Sequence, residues 1–536
     1  MTRRQLHLIV NILVLGVWFT HCGGSGQANL SSSSGTGGGS GTTSQSVVGG
    51  NVSALTASDS GLVTDLTDVQ DDDEVMIVLY SYNPNSTAAG FEVSNDQIAA
   101  DISGVSADDG AEEPETDIEG TPDITESLHE MLREAEADIS DDAEAVRPRR
   151  SNNNALTSTT QSFKVLNSFS NSSSYTTVSA TKRYETDDFE FYVDDRDAAS
   201  LTDADLQTLA TNYAAVIPRE RELFGDESDV NGDGKFAVLF THVVNELGGN
   251  SGGIVTGFFY AVDLFSDTQY AISNEREIFY TFVPDPTGQY GATISHAFAL
   301  SNILPGVLPH EYQHMISFNQ HYFLNGGAAE TGWLNEGLSH LAEDIYTNMA
   351  DTGLENPSRV ASFLSGISNI CFTCGTNLNQ RGGSYLFVRY LYEQAENGNL
   401  TSVADGDALL HNLLDTNLRS SDNVIQAAFG SAGTTDDFKN VLGLFSLAIY
   451  LSNTDATTNN LLNFTGINLR SVQSDNRGTV LNGPAVQTLS TLPFTDTLTG
   501  NGMTYIQVPG SLINANGGSV SFSFDAAGDF GGYVVQ

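Results

Sequence analysis

Five of the ten histidines in this chain fall in one window, at His296, His310, His314, His321 and His340. Within it, the run LPHEYQHMISF sets His310 and His314 four residues apart, so on a helix both imidazoles leave the same face. Two neutral imidazoles make half of a zinc site. Glu311 follows His310 directly, and a helix turns it about 100° away, toward where a water would stand rather than toward the ligand direction. A carboxylate so placed can take a proton from that water. Taken alone, the five-residue pattern is equally a pair of satisfied helix histidines.

The third donor comes from TGWLNEGLSHLAED, where Glu336 stands 22 positions beyond His314. That distance allows one helix, a reversal and a second helix. Apolar residues recur in WLNEGLSHLAEDI at helical spacing, which sets Glu336, His340 and Glu343 or Asp344 on related faces. Two imidazoles and one carboxylate leave zinc a single positive charge and an open fourth position. His310, His314 and Glu336 are therefore the expected ligands. His340 is expected to orient a ligand from behind, because a fourth protein donor would close the site.

These motifs resemble, as a set, the hyicolysin-type neutral metallopeptidases of the gluzincin division. The likeness is carried by HEYQHM at 310–315, WLNEGLSHLAED at 333–344, SNEREIFY at 273–280 and GGSYLFVRYLYEQ at 382–394. FYVDD, DVNGDGK, GFFYAVDLF, FSLAIYL and FTGINL extend it over residues 70–470. The resemblance implies a zinc endopeptidase that hydrolyses protein or peptide substrates, with Glu311 as general base and an α+β, zincin-like catalytic domain. Two positions depart from the pattern. Pro309 precedes His310, so either the helix starts there or the preceding turn is distorted. His340 stands where thermolysin-like enzymes carry an aspartate. A donor for the oxyanion should come from beyond the ligands, and Tyr385 in GGSYLF and His321 are the candidates.

The elements that must position these residues are readable in outline. DDDEVMIVLYSYN carries a strand, as do FEFYVDD, FAVLF, GIVTGFFYAV and REIFYTFV. LTDADLQTLATNYAAVIPRERELFG reads as a helix after a Thr-Asp start, and the chain turns helical after Ala292. Asp229, Asn231 and Asp233 alternate before Gly234, the first half of a calcium loop, but Phe240 occupies its twelfth position instead of a bidentate glutamate. A weak calcium site and an ordinary turn both stay open there. Cys371 and Cys374, as CFTC, read as a local disulfide in an oxidising compartment, and a redox pair or half a zinc site in a reducing one.

The expected domains run in order. Residues 1–22 form an export signal of lipoprotein type, with two arginines, an apolar run and Cys22 as the lipidation site. Residues 23–50 form a Ser/Gly tether, and 51–100 an amino-terminal strand-containing region. Residues 101–155 read as an acidic linker, or as a cleavable or inhibitory segment ending near Arg147, Arg149 and Arg150. The metallopeptidase domain spans 156–470, and a small β unit 471–536. With 67 acidic against 21 basic residues and a net charge of -46, the chain is no partner for nucleic acid. It is expected outside the cytoplasm as a monomer, either secreted or as a surface or outer-membrane lipoprotein touching the membrane only through Cys22. The competing reading is a non-catalytic surface-binding protein on a peptidase scaffold.

Overall fold

The computed structural model describes residues 44–47, 50–55, 62–65, 69–94, 124–141, 159–249, 253–347, 349, 356–454, 456–475, 478–525 and 529–536. The expected export signal, Cys22 and the arginine cluster at 147–150 lie outside the described residues. Among the described residues, no helix is long and apolar enough to cross a membrane.

The architecture is α+β, with three sheets and a helical body. The sheet nearest the histidine motif has the order Gly257–Phe259, Ile278–Thr281, Phe236–Phe240, Phe189–Asp194, Tyr175–Glu185, Thr160–Leu166. Its inner strands Phe236–Phe240 and Phe189–Asp194 run parallel and are buried at every residue, which explains why both read as unbroken apolar runs. The outermost strand Gly257–Phe259 is antiparallel to its neighbour. It comes so close to the histidine helix that a Cβ on Gly257 would stand 2.7 Å from Val307 and 2.9 Å from the Tyr280 carbonyl.

The helix Asp203–Phe224 begins at a capping box between Thr202 and Asp205 and buries Leu206, Leu209, Tyr213 and Ile217. The Tyr213 hydroxyl donates to the Leu304 carbonyl at 2.7 Å, fastening this helix to the start of the histidine helix, Leu304–Phe318. Pro309 lies inside that helix. The irregularity is upstream, where Ala299–Ile303 winds as a π-helix, so of the two sequence readings the distorted approach is the one found. After a second π-helical stretch, Asn319–Leu324, the chain reverses into Gly332–Ala342, which carries Glu336. Gly337 lets this helix meet Leu378–Glu396 closely, since a Cβ there would stand 2.9 Å from the Ser384 carbonyl.

Three segments differ from expectation. Within the expected tether, Ser44–Val47 pairs antiparallel with Gly50–Leu55, and residues 23–43 lie outside the described residues. Strands after residue 471 do not stand apart: Phe530–Val535 lies between Gly50–Leu55 and Glu74–Ser81, and Met503–Pro509 flanks Glu74–Ser81 on its other side. Alternation within Glu74–Ser81 shows why partners are needed on both faces. Val75, Ile77 and Leu79 join Phe91, Val93, Val520 and Phe522 in one core, while Met76, Val78 and Tyr80 face the helical body. Finally, the acidic stretch contains an 18-residue helix, Ile124–Asp141, whose Leu128, Leu132 and Ile139 are buried because they share one helical stripe. Glu130, Glu134 and Asp138 lie on its exposed face, whereas Glu136 is buried.

Cys371 and Cys374 are joined in a disulfide. Between them, the Thr373 hydroxyl accepts from Asn501 Nδ2 at 2.6 Å, so the small loop ties the helical body to the β unit.

Candidate metal centre

The two helices bring His310, His314 and Glu336 together, and a fourth group arrives from elsewhere. His129, His310, His314 and Glu336 place one ligand atom each within 4.8 Å of one another. Glu336 is 0% exposed, and neither carboxylate oxygen has a hydrogen-bond partner. Around them stand His129 Nδ1 at 3.4 Å, His310 Nε2 at 3.5 Å, His314 Nε2 at 3.6 Å and Arg381 Nη1 at 3.5 Å. A buried carboxylate without hydrogen bonds is costly, and imidazole nitrogens converging at such distances fit a shared cation. Nitrogen donors with a carboxylate suit zinc.

The far sides of both imidazoles are held. His310 Nδ1 faces Glu343 Oε1 at 3.1 Å, and His340 Nδ1 meets the same oxygen at 2.8 Å. His314 Nδ1 lies 3.1 Å from Asn335 Oδ1 and 3.0 Å from Ser339 Oγ. With its Nδ1–H donating to Glu343, His310 presents its Nε2 lone pair toward Glu336. His314 Nδ1 also lies 3.1 Å from Arg133 Nη1, which can only donate, so Asn335 and Ser339 hold that ring in place without by themselves setting its tautomer. His340 bears on His310 through Glu343, and its ring also packs against that of His310 at 4.7 Å between centroids.

Electrostatics separates the members. Burial would raise the Glu336 carboxyl, but the Arg381 guanidinium and the nearby imidazoles outweigh it and hold it well below the usual carboxylate range. Burial, with the charge of Arg133, pushes His314 well below the ordinary histidine value, so it is neutral as a ligand must be. For His310 the burial effect is outweighed by the nearby carboxylates of Glu336 and Glu343, which lift it to about 9, so a metal must displace a proton there.

Glu311 turns away from these rings, as its position after His310 requires. Its Oε2 accepts from the Phe259 backbone N–H at 2.8 Å, and the side chain is 3% exposed. Burial raises its carboxyl above the ordinary value despite nearby His310 and Arg133. A base working near neutral pH needs that direction of shift.

Other expected site residues are engaged differently. The Tyr385 hydroxyl donates to Asp344 Oδ2 at 2.8 Å, and Arg389 pairs with the same carboxylate, so Tyr385 sits in a buried ionic network instead of facing the metal donors. His321 is fully buried, 4.0 Å from Glu330, and burial lowers it to about 4. Neither belongs to the donor cluster. Asp229, Asn231 and Asp233 accept from the backbone N–H groups of Gly234, Asp233 and Lys235, respectively, at 3.1, 3.0 and 2.9 Å. An Asx turn makes such bonds.

Sequence reasoning overlooked His129, Arg133 and Arg381. The two arginines are placed by long-range packing, and no local spacing announces them. For His129 a signal existed in Leu128, Leu132 and Ile139, whose helical spacing marks a docking face beside a histidine.

Over 204 residues, 37% of this chain and 44% of the relative, the sequence is 29% identical to the neutral metalloprotease ShpI of Staphylococcus hyicus. That likeness supports a metallopeptidase family. The chain spans less than half the length of the curated relative it matches. No protein-family model matches the chain.

Proposed function

We propose that this protein is a zinc-dependent endopeptidase acting outside the cytoplasm, with His310, His314 and Glu336 as metal ligands and Glu311 as general base. The observation that carries the reading is the orphaned, buried Glu336 carboxylate ringed by imidazole nitrogens, with a second carboxylate one residue beyond a ligand. The 29% likeness to a neutral metalloprotease points the same way.

A zinc ion held there would polarise a peptide carbonyl and acidify a water molecule. Glu311 takes the proton of that water and delivers it to the leaving amine, its raised affinity for a proton suiting both halves of the transfer. Glu343 holds His310 in the tautomer and orientation required, and Asn335 helps to orient His314. Strand Gly257–Phe259 is outermost in its sheet and touches Glu311, so an extended peptide adding to that edge would bring its backbone past the base. The calcium-loop segment is assigned no ion.

The test is hydrolysis of casein by the zinc-loaded chain, with and without a chelator. Chelator-sensitive cleavage that zinc restores is the expected result. A chain that takes up one zinc and yet cleaves no peptide, even after Ile124–Asp141 is displaced, would return it to the class of binding proteins.

A further inference from the structure

The helix Ile124–Asp141 lies in an acidic stretch that composition alone would leave in solvent. Its apolar stripe is instead buried, with Leu128, Leu132 and Ile139 at 0%, 0% and 2% exposure, and two of its polar side chains, His129 and Arg133, reach the metal centre. His129 Nδ1 stands 3.4 Å from Glu336 Oε1, and its ring meets that of His310 edge to face at 5.9 Å. One turn later, Arg133 Nη1 lies 3.1 Å from His314 Nδ1 and 3.0 Å from Glu136 Oε2. The same helix touches His242–Gly248 and Ala261–Leu264, the segment that follows the outermost strand.

Resting on the zinc peptidase reading, we infer that this helix is an internal latch: His129 is a fourth protein donor to the metal, and while it is seated the enzyme is held inactive. A hydrolytic zinc site keeps one position free of protein for water and substrate, whereas a site closed by four protein donors is structural. Here four side chains converge, three imidazoles and one carboxylate, and all are buried. Glu311 is covered as well, at 3% exposure, so a peptide has no path to the base with the helix in place. Removing the helix would take His129 and Arg133 away from the donor cluster, which displacing a helix packed elsewhere on the body would not do. The seat is also a costly one for the helix. Glu136 is 1% exposed and burial pushes its carboxyl up to about 7, with Arg133 opposing. Arg133 itself brings a positive charge against a metal ligand. A latch so held gives way more readily than a purely apolar one.

The experiment compares the zinc-loaded full chain with its His129→Phe variant by three readouts. X-ray absorption at the zinc edge should count three imidazoles in the parent and two in the variant, matching His129, His310 and His314. Amide hydrogen exchange across 124–141 should slow when zinc is added to the parent, and should not respond to zinc in the variant. Peptide hydrolysis should be at least about tenfold faster in the variant, the factor that ~1.4 kcal/mol of lost latch energy produces. Equal imidazole counts overturn the latch, as does zinc-independent exchange in the parent or a variant no faster than an active parent. If the count falls from three to two while neither protein cleaves peptide, the peptidase reading falls and the ligation by His129 stands. Should the variant fail to fold, the parent's own imidazole count and exchange decide the question.

Discussion

Glu311 is fastened to the outermost strand of the sheet, its Oε2 accepting from the backbone N–H of Phe259 at 2.8 Å. The bond holds the carboxylate clear of the imidazoles, so its removal should affect proton transfer and not metal retention. In the His129→Phe background, where the latch is open, Glu311→Gln should keep zinc near the parental level. Peptide hydrolysis should drop by at least about a hundredfold, as expected on losing a positioned general base. His314→Ala should lose zinc and activity together. Side-by-side metal content and hydrolysis rates check both, and a Glu311→Gln protein with near-parental turnover would remove this residue from the mechanism.

Glu343 accepts from two histidines and touches one expected ligand from behind. Glu343→Gln should weaken zinc binding by about 10- to 100-fold, the usual cost of losing such a partner. Competition against a chromophoric chelator measures it. Unchanged affinity would mean that His310 needs no help with its orientation.

Glu220 is fully buried on the helix Asp203–Phe224, and neither of its carboxylate oxygens has a hydrogen-bond partner. Burial, with the charge of Glu227 adding to it, raises its pKa well above the ordinary 4.5. The folded state therefore holds this proton more tightly than the unfolded chain does. Its contribution is complete below the unfolded value and is lost as pH rises above it. Glu220→Gln should gain on the parent as the pH of urea denaturation is raised from about 4.5 to 8, by up to about 1.4 kcal/mol for each pH unit over which the folded carboxyl stays protonated. A constant difference across that range would contradict the assignment.

Tyr385 donates to the buried carboxylate of Asp344. Tyr385→Phe should accordingly cost stability, by about 1.5–3 kcal/mol for a hydrogen bond to a charged group, and leave kcat within about threefold. Chemical denaturation and steady-state kinetics separate the two effects. A hundredfold loss of kcat with unchanged stability would restore the oxyanion role to Tyr385.

What the sequence made legible was local. His310 and His314 are one helical turn apart, and Glu336 lies on the next helix, so residue spacing alone was enough to bring the three together. Strands Phe189–Asp194 and Phe236–Phe240 were equally plain, since burial on both faces leaves an unbroken apolar run. Contacts across long separations were not legible. His129 reaches Glu336 over more than 200 positions, from a segment whose charge pointed to solvent. Tyr385 and His321 were plausible polar groups near the motif, and only tertiary packing shows that Asp344 and Glu330 claim them. The pairing of Phe530–Val535 with Glu74–Ser81 belongs to the same class, because strand propensity names a strand without naming its partner.

That last pairing has a bearing on how the molecule comes into being. A chain made from its amino end presents Glu74–Ser81 early, with every residue after Glu74 destined for burial. Its two neighbours in the sheet, Met503–Pro509 and Phe530–Val535, emerge more than 400 residues later. Throughout that interval an apolar strand has to be kept from sticking to other chains, while the intervening chain is made. The sheet around Glu74–Ser81 is therefore completed only by the last-made part of the chain.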